Sequence, residues 1–432
     1  MVKQIIDLHI HSKYSRACSK DLELPKIASA CVKKGIDICA TGDYTHPMWF
    51  EHIKDNLEEI ADSGLYRLKR ANATSSASGG RETRFILSTE LSCIYKDKDA
   101  TRRLHLVVLA PNISAVAKLN EYLANLGCNL RSDGRPILGL KAKEVLKILL
   151  EIDERFMLIP AHAWTPWFSI FGSKSGYDKL EDCFEELSPH VCALETGLSS
   201  DPAMNHLWSA LDKYTLVSNS DAHSLDKLGR EANVFEFNNE KEITYDEICR
   251  VIKTGDKKTF KYTIEFFPEE GKYHFDGHAP CAVCLTSAQT KKENYLCPKC
   301  KKKITVGVLH RVEDLADREE KNIPDKFIPH KYIVPLLEII ASVFEVGVNS
   351  KRVHAEYENL IKNIGHEFYI LIDAPIEKIK KETNNENIAL AIANMREGKI
   401  GVFPGYDGIF GRIDLLQNNK KKRVEQGRLM LE

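Results

Sequence analysis

Histidines and carboxylates recur in or just after short apolar segments across the first half of the sequence. They are His9, His11, Asp43, Glu90, His105, His162, Glu195, Asp221 and His223. The carboxyl ends of parallel strands converge on one face of a β/α barrel, so residues remote in sequence can meet there. Imidazoles and carboxylates gathered on one rim are ligands for divalent metals. The set therefore predicts a metal site on the rim of a barrel.

The spacing within this set indicates how the ions are shared. His9 and His11 lie two residues apart, so an extended segment points both imidazoles to the same side, and Asp221 and His223 repeat the arrangement. Glu90 is long enough to bridge two ions. We expect as metal ligands His9, His11, Asp43, Glu90, His105, His162, Asp221 and His223.

Each histidine alone is better explained as a hydrogen-bonded core residue, so the prediction depends on the whole set. Isolated carboxylates are costly to bury unpaired, which favours a metal centre. Such metals activate water near neutral pH and neutralise charge on a phosphoryl group, which suits phosphoester hydrolysis. Glu90, Asp221 and His223 would then be catalytic. Mixed histidine and carboxylate ligands are compatible with zinc, manganese or magnesium.

Four of the twelve cysteines are clustered, as Cys281, Cys284, Cys297 and Cys300. Two Cys-x-x-Cys pairs separated by twelve residues predict a structural zinc with four thiolate ligands. The lysines around them are compatible with a nucleic-acid contact or with a plain structural module. The other eight cysteines are expected to be reduced core residues.

Two further segments are candidates for ligand binding. The loop Gly172–Gly176 carries Ser173, Lys174 and Ser175, which could hold a phosphate, although a plain surface turn is the alternative. Just before it, Trp164, Trp167 and Phe168 could stack on an exposed base or simply cover the barrel rim. Tyr406 lies in a Gly-Tyr-Asp-Gly turn, and Lys420–Arg423 is expected to be a solvated tail.

The pattern of apolar segments predicts an α/β protein, with a distorted β/α barrel, a small zinc-binding module and a helical C-terminal domain. We place the barrel at residues 1–240, the linker and zinc module at 241–325, and the helical domain at 326–432. Residues 62–84 are expected to form a polar loop. Helices are predicted near 331–345, 351–363 and 386–397.

Composition narrows the class of protein. The chain has 432 residues and a formal net charge of −1, so its overall charge does not indicate a nucleic-acid partner. No apolar run approaches ~20 residues, and the N-terminus lacks a charged region followed by an apolar one. We therefore expect a cytoplasmic protein that does not engage a membrane.

Several of these motifs together resemble a known family. His9-x-His11, Thr-Gly-Asp43, Glu90, His105, Ala-His162 and Ser-Asp221-Ala-His223 resemble the PHP (polymerase and histidinol phosphatase) phosphoesterases over roughly the first 240 residues. Longer strings extend the resemblance over nearly the whole chain to the endonuclease Q family within it. They include Ser-Asp133-Gly-Arg-Pro, Phe-Gly-Ser-Lys174-Ser-Gly, Leu228-Gly-Arg-Glu-Ala-Asn233, the four-cysteine module and Pro404-Gly-Tyr-Asp-Gly.

The resemblance implies a barrel of PHP type and a DNA-repair endonuclease. Such an enzyme hydrolyses the phosphodiester 5′ of deaminated bases (uracil, hypoxanthine, xanthine) and of abasic sites in double- or single-stranded DNA, using a metal-activated water. The residues expected to contact DNA are Trp164, Trp167, Ser173, Lys174, Ser175 and Tyr406.

The sequence departs from the PHP pattern at two places, where Tyr44 and Arg16 replace the usual histidine and acidic residue. We therefore expect two metals in the barrel, with a third only if Asp43 and His223 hold it, besides the structural zinc. Two other functions remain compatible with the motifs. They are a small-molecule phosphatase of histidinol-phosphate type and a non-catalytic protein that binds damaged DNA.

Overall fold

The structure is a computed structural model, and it describes residues 1–70, 82–98 and 100–417. The strands are β1 Val2–Asp7, β2 Ile38–Ala40, β3 Leu57–Glu59, β4 Leu65–Leu68, β5 Arg84–Ile86, β6 Ser88–Asp97, β7 Ala100–Leu109, β8 Ile137–Leu138, β9 Met157–Pro160, β10 Ala193–Glu195, β11 Thr215–Val217, β12 Ala232–Phe237, β13 Phe260–Phe266, β14 Asp276–His278, β15 Val283–Leu285, β16 His330–Ile333, β17 Gly401–Phe403 and β18 Arg412–Asp414.

The helices alternate with these strands through much of the chain. They are α1 Leu24–Lys34, α2 Pro47–Asn56, α3 Ile113–Asn125, α4 Ala142–Ile152, α5 Glu181–Phe184, α6 Pro202–Asn205, α7 Tyr245–Thr254, α8 Ser287–Lys292, α9 Val308–Leu315, α10 Leu336–Phe344, α11 Lys351–Asn363, α12 Ile376–Glu382 and α13 Glu386–Arg396. The expected α/β class is confirmed.

Two compact units divide the chain. The first comprises Met1–Gly197, Ser209–Ile264 and Asn322–His330, and the second comprises Leu198–Trp208, Glu265–Lys321 and Lys331–Glu432. The segments of each unit are discontinuous in sequence, which composition alone does not reveal. The domain limits expected at residues 240 and 325 stay a prediction.

The first unit is built on strands that follow one another around a distorted barrel. One sheet contains the hydrogen-bonded order β13-β12-β1-β2-β5-β4-β3, and a second has the order β8-β6-β7-β9. Strands β10 and β11 form a separate parallel pair. A bridge between Ile10 and Ala222 and a hydrogen bond from the Leu8 N–H to Asn219 Oδ1 (2.9 Å) join the end of β1 to the segment after β11. These two contacts therefore join parts of the barrel that the strand ladders do not connect.

Local sequence explains the first helix. Pro25 lies in its first turn, where a missing N–H costs nothing, and Ile27 and Cys31 face the core at helical spacing. Gly35 ends the helix with φ 89°, and its N–H donates to the Cys31 carbonyl. The chain is thereby turned back into β2, which pairs parallel with β1.

The region expected to be a polar loop differs from the prediction. Residues 71–81 lie outside the described residues, as does the run Lys420–Arg423. Leu65–Leu68, however, forms β4, which pairs antiparallel with both β3 and β5. Leu65 and Tyr66 are almost fully buried, and this burial overrides the turn-rich sequence that follows.

The second unit contains the hairpin β14–β15, the hairpin β17–β18 and the helices from α8 onward. The helices predicted at 351–363 and 386–397 are confirmed as α11 and α13. The segment predicted as a helix from residue 331 begins instead as β16, and α10 starts only after Pro335. Proline disfavours helix in the residue before it, which accounts for the later start.

Within the described ranges, no helix has both the length and the apolar character needed to cross a membrane.

Candidate active site

The segment after β1 places the first two histidines. Asp7, at the end of β1, accepts N–H groups from Ser220 and Gly229, each at 3.1 Å. The His11 N–H donates to the carbonyl oxygen of Ala222 at 3.0 Å. These contacts fix the His9–His11 segment against the segment that carries Asp221. Histidines and carboxylate from distant parts of the chain are thereby brought onto one rim.

Four of the predicted ligands meet around one point. His9, His11, Glu90 and Asp221 each contribute one ligand atom to a group within 4.8 Å. The Nε2 of His11 lies 3.2 Å from Glu90 Oε2 and 3.1 Å from Asp221 Oδ1. The Nε2 of His9 lies 3.6 Å and 3.7 Å from the same two oxygens.

A second group shares Glu90. His105 Nδ1 lies 2.8 Å and His162 Nε2 lies 3.2 Å from Glu90 Oε1. The two imidazole nitrogens are 3.2 Å apart. Each carboxylate oxygen of Glu90 therefore faces a different set of ligand atoms. Glu90 could therefore contribute one oxygen to each of two neighbouring cation sites.

The donor atoms fit a metal better than they fit one another. Among the described residues, His9 Nε2, His11 Nε2 and Asp221 Oδ1 are buried and make no hydrogen bond. Buried polar atoms are normally satisfied, so three such atoms converging on one point indicate a cation. The opposite nitrogens of the two rings are engaged, since His9 Nδ1 lies 3.0 Å from Glu195 Oε1 and His11 Nδ1 lies 3.0 Å from Asp43 Oδ1. An ionised carboxylate can only accept, so in the neutral form of each ring the proton lies on Nδ1 and Nε2 is able to bind metal.

The charged groups of the site shift one another's pKa values. Burial lowers the pKa of His9, but the carboxylates of Glu195 and Glu90 outweigh it and raise that pKa well above its ordinary value. Burial would raise the pKa of Glu90, but His105 and Arg135 hold it well below its ordinary value. Burial lowers the pKa of His105 to about 4 in spite of Glu90. A cation at this point would stabilise the ionised carboxylates and neutral imidazoles that ligation requires.

Three residues of the rim adopt left-handed backbone. The φ angles are 47° at Asp43, 30° at His162 and 46° at Asp221. Non-glycine residues rarely adopt this region, and backbone strain of this kind is enriched at functional sites. Gly197 lies against His162, since a Cβ at Gly197 would be 2.5 Å from the His162 Cβ. The chain therefore turns sharply at these strand ends and directs the side chains into the site.

Two of the predicted metal ligands lie outside both groups. Asp43 lies behind His11, where its carboxylate also accepts from the Ser12 N–H at 2.6 Å and the Ser15 hydroxyl at 2.8 Å. His223 Nδ1 lies 2.8 Å from the carbonyl oxygen of Asp221, and its ring packs against His11 at 4.6 Å between centroids. In this arrangement Asp43 orients a ligand, and His223 borders the site. Asp221 lies in the first group, as expected.

Arg135 is a site residue that the sequence analysis missed. Its Nη1 donates to Glu90 Oε2 at 2.9 Å. The preceding Gly134 makes this possible, because a Cβ there would lie 2.3 Å from Asp43 Oδ2. The Gly134 N–H donates to the Tyr14 carbonyl at 3.0 Å, which fixes the loop on the rim. The sequence signal was the Asp-Gly-Arg-Pro turn, which alone does not reveal where the arginine points.

The loop from Trp164 to Gly176 folds back on itself. The Lys174 N–H donates to the Pro166 carbonyl at 2.9 Å, and the Lys174 side chain is exposed. Ser175 is buried and its hydroxyl donates to the Arg103 carbonyl, whereas Ser173 is half-buried. In this geometry the exposed ammonium group can contact a phosphate, whereas the Ser175 hydroxyl is already hydrogen-bonded within the protein.

The aromatic residues of the loop differ in position. Trp164 is 1% exposed and packs against Phe171 at 5.0 Å between centroids, so in this position it supports the loop instead of meeting a base. Trp167 is half-buried. Phe168 packs on the ring of His105 at 4.6 Å between centroids and thus borders the second ligand group.

The cysteine module gathers a different set of ligand atoms from the one predicted. His278, Cys281, Cys297 and Cys300 lie within 4.8 Å of one another, and Cys284 is not among them. Cys284 lies in β15 opposite Gly277, next to Val283, whose side chain packs in the core of the module. The alternation of side chains along β15 directs Cys284 away from the cluster.

The two halves of this cluster have similar backbone conformations. The residue after each second ligand is left-handed, with φ 48° at Ala282 and 60° at Lys301. His278 to Cys281 and Cys297 to Cys300 therefore form two equivalent turns with the same three-residue spacing. Three thiolates and one imidazole make a standard tetrahedral zinc set. The signal was present as His-Ala-Pro-Cys, but a search for cysteine pairs passes over it.

Tyr406 lies in the second unit at the turn between β17 and β18. A Cβ at Gly277 would be 2.4 Å from the Tyr406 ring, so the ring packs directly on that glycine. The tyrosine is half-buried. Its main role in this geometry is to fix the turn against the cysteine module.

Comparisons with known families and proteins agree with this geometry. Residues 210–256 match the family described as PHP-associated, and residues 335–399 match the family described as the MJ0043 C-terminal domain. The protein MJ0043 of Methanocaldococcus jannaschii is 33% identical over 289 residues, which is 65% of this chain and 35% of the archaeal protein. YqxK of Bacillus subtilis is 29% identical over 428 residues, which is 96% of this chain and 100% of that protein.

Two solved structures are similar over nearly the whole chain. The lesion-specific endonuclease PfuEndoQ from Pyrococcus furiosus has a TM-score of 0.82 and 32% identity, covering 98% of this chain and 99% of its own. A complex of endonuclease Q with a 27-mer duplex substrate carrying an abasic lesion at the active site has the same score and identity, covering 96% and 97%. The expected PHP-type fold is confirmed. With this identity over almost the full length of both chains, the protein belongs to the endonuclease Q family.

Proposed function

We propose that this protein is a DNA-repair endonuclease that hydrolyses the phosphodiester 5′ of a damaged nucleotide. The observation that carries the proposal is the position of Glu90, whose two oxygens face two separate groups of ligand atoms. Paired cations held by one carboxylate suit displacement at a phosphodiester, where both the attacking and the leaving oxygen need stabilisation. The similarity to a complex of endonuclease Q with abasic-site DNA supports DNA as the substrate.

The residues of the chain divide into those that would hold two divalent metals and those that orient them. His9, His11 and Asp221 would hold one ion, His105 and His162 the other, and Glu90 both. When bound, such metals supply a water activated near neutral pH and positive charge for the phosphoryl group. Zinc, manganese and magnesium are all compatible with these ligands. Glu195 and Asp43 fix the two N-terminal imidazoles in the tautomer that leaves Nε2 available.

Arg135 and Lys174 are the cationic groups that we assign to the DNA backbone. Arg135 donates to Glu90 from within the rim, and a planar guanidinium with several donors suits a phosphate that approaches Glu90. Lys174 extends its ammonium from a loop whose backbone is fixed by its own hydrogen bonds. The Arg135 guanidinium would lie on the scissile phosphate, and Lys174 on a neighbouring one.

The proposed lesions are uracil, hypoxanthine, xanthine and abasic sites. A nucleotide whose pairing is already weakened costs less to turn out of the duplex, which favours deaminated and baseless positions. Trp167 and Phe168 would border the extruded nucleotide, since Phe168 packs on a histidine of the metal site. A zinc at His278, Cys281, Cys297 and Cys300 would stabilise a module whose exposed lysines can meet phosphates. We expect the protein to act in the cytoplasm.

The deciding experiment is a denaturing-gel assay on end-labelled DNA with one uracil, hypoxanthine or abasic site, with undamaged DNA as control. We expect a single product ending 5′ of the lesion in the presence of added Mg²⁺ or Mn²⁺, and no product with Glu90→Ala. Glu185→Ala, at an exposed glutamate outside the site, should cleave as the parent does. Cleavage that survives Glu90→Ala would refute the site assignment. Phosphate release from a small phosphomonoester without DNA cleavage would identify a phosphatase, and lesion binding without cleavage at any metal concentration would identify a damage-binding protein.

A further inference from the structure

The hairpin of β6 and β7 presents a row of side chains that begins at the candidate metal site. Glu90 in β6 and His105 in β7 belong to the second ligand group, and the two strands pair continuously from there toward the turn of the hairpin. Arg103 lies two residues from His105, and Lys96 lies six residues from Glu90. Side chains alternate between the two faces of a sheet, so both cations lie on the face that carries Glu90 and His105.

Neither cation of this row has a carboxylate partner. Among the described residues, the Arg103 guanidinium and the Lys96 ammonium form no ion pair. Asp97 faces the other side of the hairpin, where its carboxylate accepts from Lys141 Nζ at 3.1 Å and from the Tyr177 hydroxyl at 2.9 Å. Arg103 is half-buried and Lys96 is exposed. An unpaired guanidinium that is partly removed from water favours an anion that can approach it.

The position of Arg103 is fixed by the loop that packs against β7. Its guanidinium carbon lies 5.9 Å from the centroid of the Phe168 ring, which in turn packs on His105. The Arg103 N–H donates to the Ser175 carbonyl at 3.4 Å, and the Ser175 hydroxyl donates to the Arg103 carbonyl at 3.3 Å. The His105 N–H donates to the Phe168 carbonyl at 3.0 Å. A group held in this way loses less conformational entropy when it binds a ligand.

The direction of the row suits a chain of phosphates. A strand rises about 3.3 Å per residue, so Arg103 lies roughly 7 Å along β7 from His105, and Lys96 lies roughly 20 Å along β6 from Glu90. A nucleic-acid strand carries one negative charge at each step of its backbone. Cations that lead away from a centre able to hydrolyse phosphodiesters are therefore complementary to the strand that is cut.

We propose that Arg103 and Lys96 bind phosphates of the cleaved DNA strand on one side of the scissile bond. This inference rests on the proposed function and deepens it, because it names the surface that guides the strand as it leaves the metal centre. Both are positioning residues that do not touch the reacting atoms. Their loss should therefore weaken DNA binding and raise KM, and it should leave metal content and kcat at saturating DNA unchanged.

The first test measures how salt weakens the binding of an undamaged single-stranded oligonucleotide to the metal-loaded protein. We expect Arg103→Ala and Lys96→Ala each to reduce the slope of log affinity against log salt by about 0.7, the value for one phosphate contact on a single strand. Arg103→Lys should keep most of the slope, because it keeps the charge. The control is Arg67→Ala, which truncates a half-buried arginine of β4 that pairs with Glu58 at 2.9 Å and should match the parent.

The second test locates the contact on the cut strand. Lesion strands carry several uncharged methylphosphonate linkages either on the 5′ side or on the 3′ side of the scissile bond. On the unmodified strand, Arg103→Ala should raise KM by roughly tenfold, the effect of losing one hydrogen bond to a charged group. The substitution should have the same effect when one side is neutral and almost none when the other side is neutral, because the phosphate that it contacts is then already missing.

The outcomes separate this proposal from the proposed function. Equal salt slopes for Arg103→Ala and Arg67→Ala would overturn it and leave Arg103 as a support for Phe168. An effect that persists with neutral linkages on either side would also overturn it, because the row leads away from the site on one side only. Loss of metal in step with affinity would assign Arg103 to the ligand group instead. If the parent binds DNA but cleaves no lesion strand, the proposed function fails, and the salt slopes still decide whether the row binds phosphates.

Discussion

Oε1 of Glu195 lies 3.0 Å from Nδ1 of His9, while Oε2 of the same carboxylate accepts the backbone N–H of His162 at 2.8 Å. One buried carboxylate thus contacts one residue from each of the two proposed metal positions. Asn219 Nδ2 donates to Oε1 at 2.8 Å and holds the carboxylate in place. Glu195 therefore couples the two halves of the site without being a ligand itself.

Glu195→Gln should lower metal affinity by about 10–100-fold, the usual effect of losing a hydrogen-bond acceptor behind a ligand histidine. The amide can no longer accept from His9 with both oxygens, so the imidazole is less well oriented. Cleavage should recover at high metal concentration. Metal titration followed by calorimetry and by cleavage rate checks this, with Glu185→Gln as the exposed control. Unchanged metal affinity would remove Glu195 from the support of the site.

The Arg135→Lys and Arg135→Ala variants should retain bound metal but cleave DNA more slowly than the parent protein. A lysine at this position keeps the charge but cannot donate two parallel hydrogen bonds to a phosphate. We expect kcat to fall by about 100-fold for the alanine variant, comparable with loss of one donor to a developing charge. Single-turnover cleavage and metal content measured on the same samples separate the two effects. Loss of metal in step with activity would assign Arg135 to the support of Glu90 alone.

The Lys174→Ala substitution should weaken the binding of lesion DNA more than it weakens the binding of metal. The ammonium is exposed, and the Lys174 N–H is bound within the loop, so truncation leaves the backbone intact. We expect KM for lesion DNA to rise and the salt dependence of binding to decrease by about one phosphate contact. Lys179→Ala, at another exposed lysine nearby in sequence, provides the control. Unchanged kinetics would take this loop out of the DNA-binding surface.

Substitutions at His278 and Cys284 test which of these two residues binds zinc. His278→Ala should abolish stoichiometric zinc and lower Tm, because the tetrahedral set loses one of its ligands. Cys284→Ser should retain zinc, since Cys284 lies outside the cluster. Zinc content by mass spectrometry after dialysis, together with thermal unfolding, checks both variants. The reverse result would restore the four-cysteine set.

His274 should make the second unit sensitive to acid. Burial lowers its pKa to about 4, below the ordinary value of 6.5. The folded state therefore binds fewer protons than the unfolded state between these values, so stability is full above pH 6.5 and falls as pH decreases toward 4. The loss is on the order of 3 kcal/mol. His274→Gln should flatten the dependence of Tm on pH relative to His190→Gln, which changes an exposed histidine. An unchanged slope would contradict the assignment.

Sequence patterns identified most of the rim that we propose to bind metal, because a whole set of histidines and carboxylates beside apolar segments is difficult to explain as core residues. His9, His11, Glu90 and Asp221 meet as expected. The patterns did not reveal that Glu90 and the second-group histidine His105 lie within the long antiparallel hairpin β6–β7 and not at the ends of parallel strands. A run of apolar residues has the same appearance in both settings.

The residues that sequence analysis missed or misplaced depend on long-range contacts. Arg135 reaches Glu90 because the Gly134 N–H bonds to Tyr14, more than a hundred residues away in sequence. Trp164 is buried because its loop folds back on itself, and composition cannot decide which side of a loop faces solvent. His278 was passed over because cysteine pairs dominate a search for zinc sites.

The bond between Leu8 and Asn219 joins residues 211 positions apart and closes the barrel beside the metal ligands. During synthesis, the segment that carries His9 must therefore wait until Asn219 and Asp221 have emerged before the first metal position is complete. A shorter nascent chain carries the two imidazoles and Glu90 without Asp221, the fourth member of the first ligand group. The order of translation thus keeps a DNA-cutting centre inactive until the barrel around it has closed.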